Sequence, residues 1–89
     1  MAYLDIGSLE TAALGSPNSG GEIFVQLGLM YSTGRSVEAN RVAAHKWFHL
    51  AAQKGNGEAV RLRREIALEM SEDDIAEAQR EARRWLSTH

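Results

Sequence analysis

Apolar side chains recur at helical intervals from residue 24 to residue 86. Phe24, Leu27, Gly28 and Tyr31 fall at i, i+3, i+4 and i+7, which is one face of a helix. Ala44, Trp47, Phe48 and Ala51 make a second stripe, with Ala52 beside it. Ala59, Leu62, Ile66, Ala67 and Met70 make a third, and Ile75, Ala78, Ala82, Trp85 and Leu86 a fourth. No stretch alternates with a period of two over a useful length, so the pattern predicts no sheet. The expected fold is all-α with about four to five helices, the extra one being a short helix over "LETAAL". Short connections force neighbouring helices to run antiparallel. The chain then divides into an N-terminal segment over 1–18, partly ordered or a short helix, a helical hairpin over 19–56, and a C-terminal helical hairpin over 57–89 that acts as a cap.

Punctuation along the chain sets the boundaries. "GSPNSGG" reads as a loop. Ser19 with Glu22 has capping-box spacing, so the first confident helix starts near Gly20–Glu22 and runs to about Ser32. Gly28 costs this helix about 1 kcal/mol of propensity relative to Ala. A glycine on the apolar face predicts close approach of another helix backbone. Gly34 can supply a left-handed C-cap. Asn40 is a good N-cap for a second helix ending at Lys54, with Gly55 suited to the position after the end. Asn56 can cap a third helix reaching about Met70. "MSEDDI" is the sharpest start signal: Ser71 can cap, Met70 and Ile75 hold staple positions, and three acids oppose the positive end of the helix.

Length makes the core question acute. A chain of 89 residues buries only roughly 60–65% of the surface its unfolded form exposes. Support from self-association is therefore plausible. There is no cysteine, which excludes a disulfide framework and a thiolate site. The apolar runs are far short of the roughly 20 residues that span a bilayer. The start of the chain lacks the basic stretch and apolar block of a signal peptide. The formal charge is −2. Residues 1–40 carry −3, and residues 41–89 carry +1 from nine Lys/Arg and eight Asp/Glu. Neither half has the basic excess of a nucleic-acid binder.

Residues 27 to 59, "LGLMYSTGRSVEANRVAAHKWFHLAAQKGNGEA", resemble the Sel-one-like repeat (SLR) family, a relative of tetratricopeptide repeats. The motif positions are Leu27, Gly28, Tyr31, Gly34, Val37, Asn40, Ala44, Trp47, Phe48, Ala51, Ala52 and Gly55. The tail "MSEDDIAEAQREARRWL" looks like the C-terminal extension of some bacterial proteins of this family. The resemblance implies an antiparallel α/α hairpin and a scaffold or adaptor role in protein–protein contact, without catalysis. Asn40 stands where the family usually has Asp, which leaves capping intact. Arg35-Ser36 stands where a second Gly often follows Gly34. One full repeat is present, where a solenoid takes about three.

The candidate chemistry is thin. His45 and His49 are four apart and could share a metal, but zinc needs three or four ligands. Lys46 follows His45 and no Glu stands between the two histidines, so the H-E-x-x-H pattern fails. Both are expected as surface or boundary histidines, with a metal- or small-ligand-binding protein as the alternative function. Phe24, Tyr31, Trp47, Phe48 and Trp85 could stack on a ligand, but their spacing predicts core. Arg61, Arg63 and Arg64, with Arg80, Arg83 and Arg84, could touch phosphates. Interleaved Glu58, Glu65, Glu69, Glu77 and Glu81 predict a self-paired, solvated face instead.

The expected function is a non-enzymatic, cytoplasmic protein-interaction module with no cofactor and no nucleic-acid or membrane partner. Its contact surface is expected among residues the scaffold leaves over: Val25, Gln26, Leu29 and Met30. Three apolar side chains there exceed what a solvated helix needs. Burial in a protein partner, a homodimer or cover by Leu4, Ile6 and Leu9 would each satisfy them.

Overall fold

Three polar side chains start three of the helices. Asn40 Oδ1 accepts from the Ala43 N–H at 3.0 Å, Asn56 Oδ1 from the Ala59 N–H at 2.9 Å, and Ser71 Oγ from the Asp74 N–H at 3.1 Å. Each satisfies an amide that the helix itself cannot. The computed structural model describes residues 20–89. They form α1 (Gly20–Thr33), α2 (Arg41–Gln53), α3 (Gly57–Ala67) and α4 (Glu72–Thr88). Among the described residues there is no strand. The segment over 1–18, its "LETAAL" helix and the cover by Leu4, Ile6 and Leu9 lie outside the described residues.

The ends of α1 and α2 are closed by left-handed turns. Gly34 has φ 75°, and its N–H donates to the Met30 carbonyl at 2.9 Å. Gly55 has φ 92°. Beside it the Asn56 N–H donates to the Ala51 carbonyl at 3.1 Å and the Gly55 N–H to the Ala52 carbonyl at 3.0 Å, the Schellman pattern. Ser36 also takes a left-handed φ, 70°, with a β-carbon in the way. A non-glycine residue there costs roughly 1–2 kcal/mol.

The third helix ends earlier than Met70. Leu68, Glu69 and Met70 donate to carbonyls three residues back, at 3.0–3.3 Å. This tightens the last turn and stops α3 at Ala67. Leu68 is left 84% exposed.

The centre of the molecule is α2, against which α1, α3 and α4 all pack. The α1–α2 pair is antiparallel: Gly21 lies beside Lys54 and Asn56, and Gly28 beside Phe48. A β-carbon on Gly28 would overlap the Phe48 ring. The close approach that glycine predicts is therefore to an aromatic ring rather than to a helix backbone. Phe24, Leu27, Trp47, Phe48 and Leu50 are fully buried. Phe24, Trp47 and Trp85 form a triangle of rings from α1, α2 and α4, with all three centroid distances between 5.4 and 5.5 Å. Two of the contacts are edge-on, the geometry that ring quadrupoles favour. Ala59, Ala78 and Ala82 are the buried residues of α3 and α4.

Candidate functional site

Two grooves flank α1. One, of about 430 Å³, has Phe48 among its lining with Tyr31, Leu62 and Ile66, and carries Arg41 and Glu69. The Arg41 guanidinium donates to Glu69 at 3.1 Å across it, joining the start of α2 to the turn after α3. The other, of about 440 Å³, is lined by Gln26, Leu29, Met30, Thr33, Arg35 and Ser36.

Three of the four residues expected to form a contact surface line this second groove, but not in the expected way. Met30 is buried in the core cluster, and Val25 is half-buried against that cluster. Only Leu29, at 40% exposure, and Gln26 face water. Val25 and Met30 border the inward stripe of α1 closely enough to be drawn in with it. The exposed apolar patch thus shrinks to one leucine.

His45 departs further from expectation. It is 2% exposed, not a surface or boundary residue. The cause is the central position of α2, which is covered from several sides, so a residue off the Trp47/Ala51 stripe meets protein rather than water. Its Nδ1 has no hydrogen-bond partner. Burial, then the nearby His49 and Arg63, lowers its pKa from 6.5 to about 4. The ring is neutral at pH 7.

His49 is half-buried one turn later, its ring 6.4 Å from that of His45. Arg63 Nη1 lies 3.0 Å from His49 Nδ1. A guanidinium can only donate, so Nδ1 must accept and the ring proton must sit on Nε2. The Gln53 amide, 3.3 Å from Nε2, then has to present its oxygen. Burial, then Arg63 and Arg83, lowers the pKa of His49 and keeps it neutral. A cation on Nδ1 would have to displace the guanidinium. The pair is poorly disposed as a metal site, and no cluster of three metal-ligating side chains occurs among the described residues.

The aromatics expected in the core are placed there to different degrees. Trp47 and Phe48 are 1% exposed, whereas Trp85 is half-buried and stacks on the His89 ring at 4.6 Å. Lys46 lies over the Trp47 ring at 4.3 Å. The meeting of His49 with Arg63 was not foreseeable from spacing, because the two come from different helices. No protein family, curated protein or solved structure matches the chain.

Proposed function

We propose that the chain is a non-enzymatic protein-interaction module, built around one α/α hairpin of the Sel-one-like repeat type, with α4 as its cap. The observation that carries the interaction role is exposed Leu29 in the groove with Gln26, Met30 and Thr33. This groove takes two residues, Arg35 and Ser36, from the Gly34–Val37 turn and none of the buried aromatics. The motif residues are consumed in scaffold. Leu27, Ala44 and Ala51 are 0% exposed, Gly28 admits Phe48, and Gly34, Asn40 and Gly55 shape helix ends. Tyr31 closes the hairpin, its carbonyl accepting from the Asn40 N–H at 2.9 Å. The left-handed Ser36 supports the repeat reading, because glycine would adopt that conformation freely and the family often places a second glycine after Gly34.

The partner is a protein that inserts an apolar side chain beside Leu29, either a different chain or a second copy of this one. The chain works in the cytoplasm and in a bacterial context under this reading. No helix among the described residues is long and apolar enough to cross a membrane. Cross-linking capture from the source cells, on the intact chain and on Leu29→Asp, tests the proposal, with light scattering to detect a homodimer. A partner or dimer present with the intact chain and lost with a folded Leu29→Asp supports it. Capture indifferent to Leu29→Asp, with both proteins monomeric, overturns this surface.

A further inference from the structure

Among the described side chains of α1, the exposed ones stand in one line. Glu22, Gln26, Leu29 and Thr33 follow at i, i+4, i+7 and i+11, the spacing of a single helical face. The strip is charged only at its ends. Glu22 lies in the first turn of α1. Arg35 follows the last turn, where its N–H donates to the Met30 carbonyl at 3.0 Å, and it lines the groove with Leu29 and Gln26. Neither charge has an ion pair among the described residues. The helix dipole favours an acid at the start and a base at the end. It does not require both to border the same exposed strip.

The middle of the strip loses water at little cost. Leu29 is its apolar centre. Thr33 Oγ1 donates to the Leu29 carbonyl at 2.7 Å, and Ser32 Oγ to the same oxygen at 3.1 Å. Both hydroxyl protons are already used, so covering them strands no donor. Helical rise sets Glu22 roughly 10 Å from Leu29 along the axis, and Arg35 lies beyond Leu29 on the other side. A strip with an acid at one end, a base at the other and an apolar centre complements itself when turned through a half-circle. Laid parallel, it would set like charges together.

We propose that this face of α1 is the contact surface of a two-fold homodimer, antiparallel across Leu29, with each Glu22 opposite the partner's Arg35. The proposal rests on the interaction reading of the Leu29 groove and names its partner as a second copy of this chain. A two-fold axis brings one patch onto itself, so the charge pair occurs at both ends of the contact. A single helix of 14 residues buries less than the roughly 1,600 Å² of a standard interface. The dimer is therefore weak and reversible, and the ion pairs set its register more than its affinity.

Sedimentation equilibrium of the full chain over a dilution series tests it. A reversible monomer–dimer equilibrium is expected, and Leu29→Asp should leave only monomer. Glu22→Lys and Arg35→Glu should each weaken the dimer about tenfold, because each sets like charges together at both ends. Mixing the two single variants should give a dimer tighter than either forms alone, since each chain then meets the opposite charge. Both changes in one chain should restore the dimer to within about threefold of the parent. A loss through helix stability would deepen in that chain, which opposes the helix dipole at both ends. Recovery therefore reads the contact between chains, and circular dichroism checks that each variant is folded. A monomer at every concentration overturns the dimer, while a foreign protein captured through Leu29 would then leave the interaction reading standing. A dimer indifferent to both single charge changes, or recovered neither by mixing nor by the double change, overturns this face and register.

Discussion

The α1–α2 hairpin and the α3–α4 pair solve the same problem with different materials. The hairpin buries Phe24, Leu27, Trp47, Phe48 and Leu50, and both of its helices end in left-handed glycine turns. The α3–α4 pair buries only Ala59, Ala78 and Ala82 fully, and lays charged residues along its outer faces. Large rings demand one fit, because a close-packed interior does not forgive a lost volume. Alanines allow close approach but contribute little area of their own. One half therefore carries the specificity of the fold. The other supplies cover, through Trp85, half-buried Leu62, Ile66 and Ile75, and the alanine contacts to α2.

Trp47→Ala is the harshest way to break the comparison. It removes the ring that touches both Phe24 and Trp85, and should cost roughly 3–5 kcal/mol. A chain of this length has a total stability of about 4–13 kcal/mol. The unpartnered Trp47 Nε1 offsets a little of the packing gain. Trp85→Ala, at a half-buried ring, should cost less than half as much. Urea unfolding followed by circular dichroism ranks the two, and equal losses would show that α4 shares the specifying core.

Acid should act on the junction of the two halves. His45 in the folded chain has its pKa lowered to about 4, against 6.5 in the unfolded chain. Between those values the unfolded state binds the proton and the folded state does not. Stability is thus complete above pH 6.5, falls as pH drops towards 4, and is flat below. The full loss is about 3 kcal/mol, and His49, shifted in the same direction, adds to it. Urea midpoints at pH 7.5, 6, 5 and 4 give the slope. His45→Leu should remove most of it, and an unchanged slope in that variant would place the acid sensitivity elsewhere.

Much of this architecture is readable from the chain, for a definable reason. The caps at Asn40, Asn56 and Ser71 and the turn glycines Gly34 and Gly55 act on backbone atoms within a few residues, so local chemistry decides them. The inward placement of Trp47 and Ala51 follows from helical spacing. What spacing cannot tell is how many neighbours a helix has. One stripe implies one covered face, but α2 has three partners, and so His45 is buried, while Met30 is drawn in at the border of the α1 stripe. A hint was present in Ala43, Ala44, Ala51 and Ala52, which keep α2 slim on more than one side. The meeting of His49 with Arg63, 14 residues apart, depends on the packing of α3 and has no local signal.

Ser36 offers a change in the opposite direction, within the specifying half. Its φ of 70° is one that glycine adopts freely. Ser36→Gly should stabilise the chain by up to about 1 kcal/mol, because relief of the left-handed strain is partly offset by the greater freedom of glycine in the unfolded chain. Thermal unfolding measures it. A loss of stability would mean that the turn tolerates serine without strain.

The smallest effect is expected from the most conspicuous contacts, the ion pairs of α3. Arg61 reaches Glu58 at 2.7 Å and Glu65 at 2.8 Å, spanning two turns of the helix. All three side chains are more than half exposed. Water and salt screen such pairs, and fixing three long side chains costs rotamer freedom, so the net contribution is close to nothing. Arg61→Gln should leave the urea midpoint unchanged within error, and 0.5 M sodium chloride should affect the variant and the parent alike. Ala59→Val, which adds two methyl groups at a fully buried contact with α2, should lower the midpoint clearly by overpacking. If instead Arg61→Gln unfolded α3 while Ala59→Val was tolerated, the C-terminal pair would be held by its charged face, and the contrast between the two halves would be one of electrostatics rather than of side-chain size.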